Sequence, residues 1–144
     1  MEDKTNTVKA MGRDLNISFK DAVVLCNHVK GMRLPKAMEF LDKLQDKEIP
    51  APYKKHQKGI GHRKGSVKIG KYPVKAAKNL KTILQNLSSN AEYKGLDPDT
   101  LEIIHLQALK GRGILKRRPK GRWKAWTTQY VHIQAIGKDT SLGE

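Results

Sequence analysis

Acidic residues are missing from most of this chain. Residues 49–91 hold ten Lys or Arg and no Asp or Glu, and residues 103–138 hold nine, again without an acid. The first 48 residues differ, with nine basic and eight acidic side chains. The formal charge of +15 is therefore sorted along the sequence. A solvated charged face normally mixes its signs. Tracts of 43 and 36 acid-free residues leave nothing to repel a polyanion, and phosphate backbone is the default partner for such a surface.

Other absences narrow the reading further. There is a single cysteine, Cys26, which excludes an internal disulfide framework and fits a reducing cytosol. No run of 18 apolar residues occurs, so no membrane span or membrane partner is expected. Met1-Glu2-Asp3-Lys4 carries no apolar signal region. At 144 residues, with 38% hydrophobic side chains, the chain is expected to form one domain, residues 1–144, with a modest core.

Enzymatic constellations are incomplete. Gly65-Ser66-Val67-Lys68-Ile69-Gly70-Lys71-Tyr72 matches the first seven positions of a phosphate-cradling loop. It has Tyr72 where a Ser or Thr should ligate Mg²⁺, no strand before it, and no carboxylate until Glu92. The five histidines include no His-x-x-x-His pair, and His56 and His62 lie among cations that disfavour a divalent ion. Asp97, Asp99 and Glu102 surround Pro98, where side-chain-to-backbone bonds of a turn account for them. Cys26 sits on an apolar helical face, where a buried, inert thiol is the usual outcome. No catalytic residue, metal ligand or cofactor is assigned.

Residues 8–17 read as a strand. Ser18 is a helix N-cap, with Asp21 placed to reach back to the free amides. Phe19, Ala22, Val23, Cys26 and Val29 then follow at helical spacing, and Gly31 stops that helix. Pro35 opens a second helix lined by Leu34, Ala37, Met38, Leu41 and Leu44, and Pro50 and Pro52 end it. Residues 53–72 show no periodicity and form a basic loop insertion with seven Lys or Arg. Pro73 starts a third helix lined by Val74, Ala77, Leu80, Leu84, Leu87 and Ala91, which Gly95 stops. Lys75, Lys78 and Lys81 fall on its solvent side. Residues 101–109 and 127–136 are strands. Between them, residues 110–126 are basic and lack apolar alternation. If the strands pair and continue, each arm of a hairpin gains about eight residues, or roughly 26 Å. Such a hairpin needs a partner to order it. Residues 139–144 read as an unstructured tail.

Aromatic rings interleave with the cations. Tyr53 and Tyr72 bracket the loop, and Trp123 and Trp126 lie among Arg117, Arg118, Arg122 and Lys124. Rings and guanidinium planes stack on unpaired bases while cations meet phosphates. The expected phosphate contacts near the domain are Lys54, Lys55, Arg63, Lys64, Lys71, Lys75 and Lys78. In the hairpin they are Arg112, Lys116, Arg117, Arg118, Lys120, Arg122 and Lys124, with Trp123 as a stacking residue. Two other function classes share some of these features. An architectural DNA-binding protein has the charge but prefers duplex DNA. A nuclease or RNA-modifying enzyme needs acids near the basic surface, and both tracts lack them.

Three segments carry a family resemblance: Gly59-Ile60-Gly61-His62-Arg63-Lys64-Gly65, Lys71-Tyr72-Pro73-Val74-Lys75-Ala76-Ala77-Lys78, and Asn90-Ala91-Glu92-Tyr93-Lys94-Gly95-Leu96-Asp97. With them, residues 9–136 closely resemble the archaeal form of the large-subunit ribosomal protein twenty-two family (protein seventeen in eukaryotes). The insertion 53–72 is similar to the archaeal and eukaryotic version. The resemblance implies an α+β fold: a three-stranded antiparallel sheet packed against three helices, with a long extended β-hairpin. It implies a non-enzymatic constituent of the large (50S) subunit, in the cytoplasm, that binds several domains of large-subunit (23S-type) rRNA and supports assembly. It further implies a globular part near the polypeptide exit tunnel and a hairpin lining the tunnel wall. The implied partners are large-subunit rRNA, neighbouring ribosomal proteins, and the nascent peptide near the hairpin tip. The tip departs from the family pattern Pro-Arg-Ala-x-Gly-Arg-Ala. Arg118-Pro119-Lys120-Gly121-Arg122-Trp123 is two residues shorter and ends in Trp. That ring could stack on a base, narrow the passage or pack across the hairpin.

Overall fold

The computed structural model describes residues 6–65, 67–117, 120 and 125–140. In chain order the elements are β1 (Thr7–Leu15), α1 (Phe19–Val29), α2 (Leu34–Gln45), β2 (Ala51–Pro52), β3 (Gly70–Lys71), α3 (Val74–Tyr93), β4 (Leu101–Arg117) and β5 (Ala125–Asp139). A 3₁₀ turn at Pro98–Thr100 precedes β4. The main sheet is antiparallel with order β1-β5-β4, and β2 pairs with β3 separately. The expected α+β architecture is present.

Each helix follows from its sequence, with two corrections. Ser18 caps α1, its hydroxyl accepting from the Asp21 amide at 3.4 Å. The Asp21 carboxylate does not close a capping box; it is engaged elsewhere. The second correction concerns the end of α2. The helix stops at Gln45, before the prolines, because Lys47 adopts φ +62°. The amides of Lys47 and Glu48 then reach back to the carbonyls of Leu44 and Lys43, closing a Schellman motif. Gly95 ends α3 the same way at φ +71°, as its position implies.

All three helices pack on one face of the sheet. α1 lies over β4, α3 over β1 and β5, and α2 against α3. Leu25, Leu41, Leu44, Leu80, Leu84, Leu87, Ile103 and Ile133 fill the space between them. Of its expected stripe α1 buries Ala22, Cys26 and Val29, with Phe19 and Val23 half-buried; it also buries Val24 and Leu25, because it is enclosed by the sheet, α3 and β2. In β5, Val131, Ile133 and Ala135 face the helices, as their alternation requires. In β4 the buried set shifts from Leu101 and Ile103 to Leu106 and Ala108. A bulge between Ile103 and His105 causes this, since one extra residue reverses the parity of every side chain after it.

Asp139 is not tail. It ends β5, is 2% exposed, and its carboxylate accepts from the Thr100 hydroxyl at 2.8 Å.

Candidate nucleic-acid interface

The basic loop is less free than its composition implies. Its ends are zipped by β2 and β3, and the Tyr53 amide donates to the Ile69 carbonyl at 3.0 Å. Higher in the loop, His62 bridges to Ile69 and the Arg63 amide donates to the Lys68 carbonyl at 2.9 Å. Tyr53 is 3% exposed and roots the loop in the core. Its hydroxyl donates to Asp21 Oδ1 at 2.7 Å, while Lys71 Nζ lies 3.2 Å from Asp21 Oδ2. One carboxylate at the start of α1 therefore holds both ends of the insertion. A cleft of about 400 Å³ separates the loop from that end of α1. The Tyr53 phenol pKa is pushed up, first by burial and then by its bond to Asp21.

The hairpin is braced at its base and exposed beyond it. Strand pairing continues to Arg117↔Ala125, past a second bulge between Lys110 and Gly113. Toward the tip from Ala108 and Val131, no described residue of either arm is buried. At the base, Lys110 Nζ lies 5.4 Å from the Phe19 ring centroid, and the Arg112 guanidinium lies 5.3 Å from that of Tyr130. Asp14 sits at φ +50° in the irregular end of β1. Its amide donates to His132 Nδ1 at 3.0 Å, and its carboxylate is 3.9 Å from Arg112 Nε. Trp126 and Leu115 are 54% and 70% exposed further out.

The expected phosphate-binding residues fall into three groups. Lys54, Lys55, Lys64, Lys75, Lys78, Lys116, Arg117 and Lys120 are exposed, and none is within ion-pair distance of a carboxylate among the described residues. Arg63, Lys71 and Arg112 are exposed too, but each has structural work. Arg63 donates to the Gly70 carbonyl and stacks 5.1 Å from the Tyr72 ring, Lys71 pairs with Asp21, and Arg112 pairs with Asp14. Arg118, Arg122, Trp123 and Lys124 lie outside the described residues. Lys81 is drawn to Asp42 of α2.

Sequence reasoning missed the two acids that pin these extensions, Asp14 and Asp21. The signal was indirect: with both basic tracts free of acid, any carboxylate that anchors them must come from elsewhere in the chain, and the first 48 residues hold eight of the fourteen acids. Cys26 is buried, and burial pushes its thiol up to about 12, which keeps it protonated and unreactive. Burial lowers the His28 pKa, with the nearby Lys54 charge adding to the effect. No cluster of three or more His, Cys, Asp or Glu that could hold a metal ion occurs among the described residues. Among them, no helix is long and apolar enough to cross a membrane.

A family profile described as "Ribosomal protein L22p/L17e" matches residues 10–138. The chain is 43% identical over 137 residues to "Large ribosomal subunit protein uL22" of Archaeoglobus fulgidus, covering 94% of this chain and 88% of that protein. It is 44% identical over 138 residues to the protein of that name from Thermoplasma acidophilum, covering 94% and 91%. Against the Methanocaldococcus jannaschii protein it is 42% identical over 134 residues, covering 90% and 86%.

Proposed function

The chain belongs to the ribosomal protein L22p/L17e family, structural constituents of the large ribosomal subunit and not enzymes, and from that premise we propose that it binds several domains of large-subunit rRNA through two basic extensions. The whole chain works as one domain. The loop 53–72, with the adjoining face of α3, and the hairpin 110–126 are the parts that reach into RNA. The observation that carries this reading is the set of exposed Lys and Arg on both extensions that, among the described residues, have no carboxylate partner. In folded RNA such cations neutralise phosphates and release counterions, while shape supplies most of the recognition.

The globular part sits near the polypeptide exit tunnel of the cytoplasmic ribosome, with other ribosomal proteins as neighbours. The hairpin lines the tunnel wall, and its tip meets the nascent peptide. Support comes from the resemblance and from arms in which, beyond Ala108 and Val131, no described residue is buried. By binding separate rRNA domains at once, the protein favours their assembled arrangement. The test is co-sedimentation of the tagged chain with large subunits through a high-salt wash. Retention at one copy per subunit is expected. Loss in the wash, or equal retention on duplex DNA, overturns the reading.

A further inference from the structure

The exposed face of α3 runs from the basic loop to a surface that the expected site residues leave out. Along it lie Lys75, Asn79, Thr82, Asn86, Ser89 and Tyr93, spaced four and three residues apart and so stacked on one side of the helix. None of these six positions is an acid, Glu92 lying about a quarter turn away from Tyr93, and they span about 27 Å at about 1.5 Å per residue. It ends on Tyr93, which is 92% exposed. A large ring held almost wholly in water on an ordered helix forgoes the burial that normally stabilises it.

Beside Tyr93 is a cleft of about 480 Å³ between the end of α3 and the edge strand β1. It is lined by Thr7, Val8, Lys9, Asn90, Tyr93 and Lys94, with no carboxylate among them. The floor is rigid. Asn90 Nδ2 donates to the Lys9 carbonyl and Lys94 Nζ to the Thr7 carbonyl, each at 2.9 Å. The spacings match, since four helical residues rise about 6 Å and two strand residues about 6.6 Å. Lys9 and Lys94 are both exposed cations of the cleft, and with the Lys94 ammonium held on the Thr7 carbonyl Lys9 is the freer of the two.

We infer that this cleft is a further RNA site, in which one unpaired base stacks on Tyr93 and its phosphate meets Lys9. A flat ring on a pre-ordered platform with an adjacent cation is the arrangement that single-stranded bases use. RNA is favoured over a protein partner because the lining carries Lys9 and Lys94 and no carboxylate, and because it continues the row of acid-free positions along α3. The inference rests on the rRNA reading above and adds a contact outside both basic extensions.

The experiment uses the full chain with its cognate large-subunit rRNA. Affinity is measured across a salt series for wild type, Tyr93→Ala, Tyr93→Phe and Lys9→Ala, and ultraviolet crosslinks are mapped by mass spectrometry. Tyr93→Ala is expected to weaken binding about tenfold with an unchanged salt slope, and Tyr93→Phe to stay near wild type. Lys9→Ala is expected to flatten the slope by about 0.7–0.9. A nucleotide adduct should appear on the peptide carrying Tyr93. Normal, steeply salt-dependent binding by Tyr93→Ala, with no adduct there, overturns this site and leaves the rRNA reading standing. The same result with poorer incorporation of Tyr93→Ala into subunits assigns the ring to a protein neighbour and also overturns it. Weak, shallow binding by the wild type removes both.

Discussion

At φ +62° Lys47 closes α2 in the conformation that Gly95 uses, at φ +71°, to close α3. A side chain in the left-handed region costs on the order of 1 kcal/mol, which glycine avoids. Lys47→Gly is therefore expected to stabilise the protein by about 1 kcal/mol, a rise of a few degrees in Tm by calorimetry. Tyr53 gives a pH-dependent prediction. Its folded pKa is raised above the unfolded value by burial and by Asp21. The stability this provides is intact below pH about 10 and is lost as pH rises beyond it, because only the unfolded chain then releases the proton. Urea midpoints should fall between about pH 9 and 11, and Tyr53→Phe should flatten that fall. Both residues show what a linear reading misses. Lys47 has no marker of positive φ, and Asp21 looked like a capping residue because the Tyr53 hydroxyl arrives from 32 residues away.

Among the elements, the helices were the most legible. Their periods and two of their stops, Gly31 and Gly95, follow from residue types alone, because a helix buries a face set by local spacing. Strand β4 was legible as a strand but not in its facing. The bulge after Ile103 reverses which side chains point inward, and the need for it comes from its register with β5. That central pairing also explains Gly137. A Cβ there would stand 2.6 Å from Leu101 Cδ2, and Leu101 is fully buried. Gly137→Ala should cost about 1–3 kcal/mol in denaturant unfolding, since Leu101 has no space to retreat into. The edge strand β1 is protected by Asn90 and Lys94, which occupy two of its carbonyls.

For the whole molecule, the ion pairs tie the two halves of the charge pattern together. Asp21 pairs with Lys71, Asp42 with Lys81 and Asp14 with Arg112. In each pair the acid comes from the near-neutral first 48 residues and the base from an acid-free tract. These exposed or half-exposed pairs add little stability. The Asp21 and Asp14 pairs fix where each extension leaves the domain, and the Asp42 pair ties α2 to α3. If about ten phosphates are contacted, the affinity for rRNA should fall with salt at a log–log slope of about −7 to −9. A filter-binding series giving about −2 would contradict the proposed interface.

The charge sorting, the helical and strand periods, the basic loop and hairpin, and the family are all written along the chain. Each is carried by residue types and spacings that need no third dimension. Which cations are available and which are braces depends on contacts between distant elements. Arg63, Lys71 and Arg112 read like their neighbours in the chain. What separates them is a carbonyl, a carboxylate or a ring delivered by another element, and at a few ångströms that contact outweighs any pattern along the sequence.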